Sequence, residues 1–278
     1  MRILQTFCIK IDSGTMQKLK EILQPIEPEI KKCECIRGYR TYYVEVEIYK
    51  DSKEIEYLLN SLKKEQFEFT ETIRRIYNKK EILEAPFAWV ALPQPYSSIG
   101  KYAVDFGTKY NEAVCNKCGR GRNQKSPLFL PNSKIKKYDI CTMEPEIVIS
   151  SKMENLLCEA EATGYDLHEV YHSKTKKKES FKQLVATNIL PPMRADTGAI
   201  FETCPDCGAR YIKSIYNEIA YDHICLKECK DFNYTAEFYS LRTVNIVPGR
   251  MLIVSNKIIR LFYENKVKGV VFEPILIR

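Results

Sequence analysis

The sequence lacks the residue patterns that mark the common classes of enzyme. Its three histidines form no Ser/His/Asp or HExxH arrangement, and the GRGR stretch at 119–122 has neither the spacing nor the following lysine of a phosphate-binding loop. No apolar run approaches the roughly 18 residues that a transmembrane helix needs. These absences predict a protein that is not an enzyme and does not enter the membrane.

A secretion signal is also missing. The amino-terminal stretch MRILQTFCIKIDSG is interrupted by Gln5, Lys10 and Asp12, and its alternation is typical of a strand. We therefore expect a cytoplasmic protein. With 278 residues, of which 45% are hydrophobic and 28% charged, the chain is long enough for two ordinary globular units.

Cysteine, in contrast, is abundant. The chain has 11 cysteines, and the reducing cytoplasm opposes disulfide formation. An odd count also argues against a complete set of disulfides. We expect some of the thiols to bind a metal and the others to lie in the core.

The net charge of +7 is unevenly distributed. Residues 101–137 contain 9 Lys and Arg against 2 Asp and Glu, whereas residues 138–170 contain 1 against 8. The basic block can form ion pairs with the neighbouring acidic block. The excess charge is therefore only weak support for a nucleic-acid partner.

The amino-terminal part of the chain alternates between strand and helix patterns in the order βαββαβ over residues 1–78. This order predicts an α+β unit of the ferredoxin-like, split βαβ type, which we assign to residues 1–84. Cys33 and Cys35 lie at strand spacing within it, and we interpret them as ordinary thiols.

The carboxy-terminal part, 85–278, contains an internal repeat. Residues 148–170 align without a gap on 253–275 at a constant offset of 105, and five positions are identical. Both copies predict a short strand, a helix, a glycine stop at Gly164 or Gly269, and a second strand. Ser151 and Asn256 are the predicted helix caps.

Each copy is preceded by one CxxCG motif: AVCNKCGRGR at 113–122 and ETCPDCGARY at 202–211. Two cysteines three apart on a tight turn can offer both thiolates to one ion, and a closed zinc site needs four such ligands. The region therefore predicts two duplicated halves joined by one structural Zn²⁺. The predicted ligands are Cys115, Cys118, Cys204 and Cys207.

Two alternatives compete with this site. Cys225 and Cys229 follow the second motif at a spacing that suits a local zinc ribbon, with His223 as a further ligand. The first motif would then need other partners, such as Cys141, Cys158 or His168. A redox-active dithiol would be expected to open a helix, which neither motif does. We favour the paired site because the repeat supplies two matched half-sites.

The two CxxCG motifs and the ending IVSNKIIRLFYENKVKGVVFEPI at 253–275 resemble the double-CXXCG bacterial immunity proteins first described in myxobacteria. The resemblance covers about residues 110–278. The ending also resembles that of related bacterial immunity families, in which a last helix is followed by a Gly-hydrophobic-Pro strand, here Gly269–Pro274. The resemblance implies a cytoplasmic protein that binds and neutralises a cognate toxin, with the motif cysteines as metal ligands. The acidic block is then a candidate face for a basic nuclease toxin.

The alternative is a zinc-knuckle protein that binds nucleic acid. The N-terminal unit is charge-balanced and has no RNP-like aromatic strand, which argues against this alternative. If the protein binds nucleic acid, the basic block at 101–137 would contact the phosphates. Its candidate residues are Lys101, Lys117, Arg120, Arg122, Lys125, Lys134, Lys136 and Lys137.

Overall fold

The computed structural model of the chain describes all residues except 13, 27–28, 36–41, 97–99, 132 and 240–246, and the side chains of 29–35, 42 and 225–226 also lie outside the described part. The chain divides into two units, Met1–Asn78 and Lys79–Arg278. Both units combine helices with β-sheets, which confirms the predicted α+β class.

The division falls earlier than the predicted boundary after residue 84. A short helix, α3 (Lys79–Glu84), belongs to the second unit. Its Ile82 and Leu83 pack against the core of that unit, and the Asn256 side chain donates a hydrogen bond of 2.9 Å to the carbonyl oxygen of Leu83. These contacts explain why α3 belongs with the later residues.

The first unit places two helices against one four-stranded antiparallel sheet. The sheet has the order β2-β3-β1-β4. Its core joins alternate residues of the strands, such as Phe7 and Val46, to Leu19, Leu58 and Leu62 of the helices. The elements are β1 (Arg2–Ile11), α1 (Met16–Leu23), β2 (Glu29–Cys35), β3 (Tyr42–Tyr49), α2 (Glu54–Lys64) and β4 (Phe69–Ile76).

The second unit contains two larger sheets and two longer helices among its described residues. The helices are α4 (Ser151–Glu159) and α5 (Asn256–Glu264). The strands are β5 (Phe87–Ala91), β6 (Leu128–Leu130), β7 (Ile140–Thr142), β8 (Ile147–Ile149), β9 (Tyr165–His172), β10 (Lys178–Ala186), β11 (Asn188–Ile189), β12 (Ala199–Thr203), β13 (Arg210–Ile215), β14 (Ala220–Tyr221), β15 (Phe232–Tyr239), β16 (Gly249–Ser255), β17 (Val271–Pro274) and β18 (Leu276–Ile277).

The sheets are built largely from non-local pairings. One has the order β6-β9-β10-β8-β7, and the other has the order β12-β13-β15-β16-β5-β17, with β11 pairing beside β15. The strands β14 and β18 form a separate pair. Met153 and Leu157 of α4 and Ile258 and Phe262 of α5 are buried in the same core between these layers. No described helix is long and apolar enough to cross a membrane.

The two aligned sequence segments have the same local structure. Each runs from a strand into a helix and then into a second strand: β8, α4 and β9, and β16, α5 and β17. The two strands of each segment flank an antiparallel strand from outside the segment, which is β10 for the first and β5 for the second. The helix caps are Ser150 and Ser255, one residue before the predicted caps, and the Ser150 hydroxyl accepts from the Met153 backbone N–H at 3.3 Å.

An aspartate precedes each segment and binds the loop that follows the helix of the other segment. The carboxylate of Asp139 accepts from the Lys268 N–H at 2.8 Å, and that of Asp231 accepts from the Thr163 N–H at 2.9 Å. Lys268 and Thr163 are themselves separated by the repeat offset of 105. Each half therefore fixes the end of the other half's helix.

A lysine on each helix makes a second pair of reciprocal contacts. The Lys152 ammonium donates to the Asn265 carbonyl at the end of α5, at 3.1 Å. The Lys257 ammonium donates to the Glu161 carbonyl beyond the end of α4, at 3.0 Å. Because a helix ends with unpaired carbonyls and partial negative charge, each lysine stabilises the opposite helix.

The glycine after each helix is required by close packing. Gly164 (φ +83°) and Gly269 (φ +102°) adopt left-handed backbone conformations, and an added Cβ would lie 2.5 Å from the carbonyl oxygen of Phe232 or Ile140, respectively. We expect Gly164→Ala and Gly269→Ala each to lower the free energy of unfolding by about 2 kcal/mol or more, measured by urea denaturation. Gly100→Ala is the matched control, since Gly100 has φ +71° with open space around it. An equal cost in all three variants would contradict the packing argument.

Asp231 makes the stability of this interface dependent on pH. Burial acts to raise the pKa of Asp231, but hydrogen bonds from Ser255 and Thr163 and the charge of Lys257 outweigh it, so its pKa lies below the ordinary value. Its stabilising contribution is therefore complete above the unfolded-state pKa and is lost as pH falls through the folded-state pKa.

We expect Asp231→Asn to lower the free energy of unfolding by about 1–3 kcal/mol at neutral pH, with the difference from wild type closing in strong acid. Urea denaturation at a series of pH values measures it. Asp166→Asn, which changes an exposed carboxylate on β9, is the control and should have little effect. A difference that persists unchanged at low pH would contradict the role given to the Asp231 charge.

Candidate metal centre

The two CxxCG motifs form the same tight turn. The Gly119 N–H donates to the Cys115 carbonyl, and the Gly208 N–H donates to the Cys204 carbonyl, both at 2.9 Å. Both glycines have positive φ, +74° and +70°, respectively, a conformation that glycine adopts without a steric penalty. Each turn thereby presents its two cysteine side chains on one side.

The structure brings the four predicted ligands together. Their sulfur atoms all lie within 4.8 Å of one another. Across the two motifs, Sγ of Cys115 lies 3.8 Å from Sγ of Cys204, and Sγ of Cys118 lies 3.5 Å from Sγ of Cys207. A tetrahedral zinc ion with Zn–S bonds of about 2.3 Å requires sulfur separations of about 3.8 Å. The four thiols can therefore bind a metal such as zinc.

The surroundings hold this cluster rigidly. Cys115, Cys118 and Cys204 are buried and Cys207 is partly buried. The hydroxyl of Tyr211, on β13, donates to the Cys118 carbonyl at 3.3 Å, and the Tyr211 ring stacks on Phe238 with centroids 5.3 Å apart. The first turn is thus attached to the strand that follows the second turn.

Two contacts at the surface also join the motifs. The Arg120 guanidinium donates to the Cys207 carbonyl at 3.4 Å, and the Lys117 ammonium lies 3.8 Å from the Asp206 carboxylate. Lys117 and Asp206 are more than half exposed, so the ion pair itself adds little stability. Its main effect is to set the relative position of the two turns.

Burial favours the protonated form of Cys118. It raises the pKa of Cys118 to about 12, so at neutral pH this thiol keeps its proton when no metal is bound. A divalent cation reverses this preference, because it binds the thiolate and drives out the proton. Four thiolates would fill a tetrahedral coordination sphere, which is typical of a structural zinc site without an open position.

The alternative ligands lie elsewhere. His223, His168 and Cys158 are exposed, Cys141 is buried in a separate core cluster, and Cys229 packs on another. The side chains of Cys225, Cys33 and Cys35 lie outside the described residues. Within the described part of the chain, no second group of three or more His, Cys, Asp or Glu side chains has metal-site geometry.

Sequence reasoning missed the residues that support the ligands. Tyr211 and Phe238 lie on paired strands, β13 and β15, and this parallel pairing cannot be read from local patterns. The only signal was position: Tyr211 follows the second motif on an alternating strand.

We expect the purified protein to contain about one zinc ion per chain and Cys118→Ser to lose it, with a large fall in thermal stability. Elemental analysis and thermal unfolding with and without chelator measure the two effects. Cys158→Ser, which changes an exposed thiol on α4, is the control and should keep both metal and stability. Full zinc content in Cys118→Ser would exclude the four-cysteine site.

Comparison with known proteins adds no further constraint on this site. No family model and no curated protein matches the chain. The metal centre is therefore supported by its own residues: two CxxCG turns that place four sulfur atoms within 4.8 Å of one another.

Proposed function

We propose that the chain is a zinc-stabilised, non-catalytic binding protein, specifically a cytoplasmic immunity protein that neutralises a cognate bacterial toxin. The observation that carries the proposal is the convergence of four cysteine sulfurs from the two CxxCG motifs. A metal held by four thiolates has no position left for substrate or water. It can stabilise a surface that binds a partner, and it leaves the chemistry to the toxin.

The proposed family rests on the double motif and on the end of the chain. In the related bacterial immunity families whose ending the sequence also resembles, a last helix precedes a Gly-hydrophobic-Pro strand. Here α5 ends before Gly269, and β17 follows and ends at Pro274. This order of elements is consistent with the resemblance and supports it.

The architecture that we propose is a ferredoxin-like unit followed by two duplicated halves. The order βαββαβ and the strand order β2-β3-β1-β4 support the first part. The equivalent strand-helix-strand segments and the reciprocal contacts of Asp139 and Asp231 support the second. In this view, each half contributes one CxxCG turn to the zinc site.

The acidic block at 138–170 offers the partner less surface than its composition suggests. Glu146 is partly buried and accepts a hydrogen bond from the Tyr110 hydroxyl, and Asp139 pairs with Lys152 at 3.2 Å. Glu154 and Glu169 share Lys182, at 3.8 and 2.7 Å. These contacts engage four of the eight acids of the block, two of them through Lys182 outside it, and the exposed acids include Glu159, Glu161 and Asp166.

The basic block is also partly engaged, which weighs against the nucleic-acid alternative. Lys117 pairs with Asp206 and Arg120 donates to a carbonyl. Lys134 and Lys137 lie over the rings of Tyr96 and Tyr138. Lys117, Lys134 and Lys137 therefore each have a partner within the chain, which leaves less of the block free to contact a phosphate backbone.

The proposal predicts protection of a host cell. When the product of a neighbouring toxin gene is expressed with this chain, we expect growth to be restored by the wild type and by Cys158→Ser but not by Cys118→Ser, because loss of zinc unfolds the binding surface. The purified toxin and the wild-type chain should form a stable complex on gel filtration. Failure to protect or to form a complex, together with a salt-dependent shift of DNA or RNA at physiological ionic strength, would favour nucleic-acid binding.

A further inference from the structure

A large cavity lies beside the metal centre, and the proposed function does not account for it. Its volume is about 860 Å³, which is within the usual range of small-molecule sites. It is bordered by the loop after the first CxxCG turn, by β9 and β10, and by β15 and β16. Tyr171, Tyr234 and Phe238 are among its aromatic lining residues.

Basic side chains dominate the charge of this cavity. Arg120, Arg122, Lys125 and Arg250 all line it. In the described part of the chain, none of these four lies within ion-pair distance of a carboxylate. The nearby buried acid Glu237 instead pairs with Arg210, at 3.4 Å. The cavity thus gathers positive charge that the protein does not neutralise by direct contact.

Two of the arginines are also partly buried. The Nε atom of Arg122 is buried without a hydrogen-bond partner. Arg250 lies over the Phe238 ring, 4.2 Å from its centroid, and donates to the Thr235 carbonyl at 2.7 Å. Burial lowers the pKa of Arg250, the charge of Glu237 opposes this shift, and the nearby charge of Arg120 adds to it, with a net lowering. Clustered, partly buried cations of this kind are unfavourable unless an anion joins them.

The acidic residues in the cavity wall do not supply that anion. The Glu146 carboxyl accepts from the Tyr110 hydroxyl at 3.0 Å and from the Gln183 amide at 2.5 Å, and burial raises its pKa, which disfavours its charge. Glu169 is held by Lys182 at 2.7 Å and by Lys178 at 3.0 Å. Both carboxyl groups are therefore engaged by other side chains of the protein and do not pair with the arginines of the cavity.

We propose that this cavity binds a small organic oxyanion, a phosphate ester or a polycarboxylate, through Arg120, Arg122 and Arg250. Guanidinium groups match such oxyanions because their planar N–H pairs can bind two oxygen atoms at once. The aromatic walls give the organic part of the ligand a surface to pack on. This inference is independent of the toxin partner.

Isothermal titration calorimetry of the zinc-loaded, full-length protein at about 150 mM salt, a concentration chosen to screen non-specific binding, tests the proposal. The probes are pyrophosphate, adenosine monophosphate and citrate, with uncharged adenosine as the negative control. Binding of the phosphates alone identifies a phosphate ester as the ligand class, and binding of citrate alone identifies a polycarboxylate. Either result supports the proposal.

We expect Arg122→Gln to weaken binding of the active probe about tenfold or more, as loss of a charge-assisted contact predicts. Arg250→Met should have a similar effect, but it also removes hydrogen bonds to β15, so Arg122→Gln is the decisive variant. Lys101→Gln changes an exposed lysine that does not line the cavity and should bind as wild type does.

Three results would overturn the proposal. The first is no measurable binding of any of the three anions to the wild-type protein. The second is unchanged binding by Arg122→Gln. The third is tighter binding of a single-stranded oligonucleotide than of the monophosphate, weakened equally by Lys134→Gln and Lys136→Gln, which would make the cavity part of an extended nucleic-acid surface.

Discussion

The convergence of four thiols from two distant turns is the constraint on which the second unit depends. Between Cys118 and Cys204 lie 85 residues. Closing such a loop has an entropic cost, which the binding of a metal can offset. Burial also raises the pKa of Cys118, so a metal that binds there would have to displace the proton of this thiol. Tyr211 transmits the constraint to β13, since its hydroxyl binds the Cys118 carbonyl.

A second set of links joins the same halves without a metal. Asp139 and Asp231 each bind the loop after the opposite helix, and Lys152 and Lys257 each reach the carbonyls at the end of that helix. Two such reciprocal contacts are consistent with the duplication that we propose. The thiol cluster and these polar links together leave little freedom for one half to move against the other.

Local patterns predicted the parts of this structure that depend on short-range rules. The spacing of the CxxCG motifs identified the four cysteines, and the offset of 105 identified both helices and the glycines that follow them. The equivalence of Asp139 and Asp231 was missed because these residues are 92 positions apart, whereas the aligned segments are 105 positions apart. An alignment without gaps therefore does not place the two aspartates opposite each other. The position of β5 between β16 and β17 could not be predicted from local patterns either, because β5 pairs with strands more than 150 residues later in the chain.

The candidate metal centre and the basic cavity share Arg120, and this links the binding of a metal to the binding of an anion. Arg120 lies two residues after Cys118, contacts the Cys207 carbonyl and lines the cavity. A metal that fixes the first turn therefore also positions a guanidinium for the proposed oxyanion. Because linked binding equilibria are reciprocal, an anion held by Arg120 would in turn favour the arrangement of the turn that binds zinc. The scaffold and the cavity would then be parts of one coupled system, although only the scaffold is needed for the toxin binding that we propose.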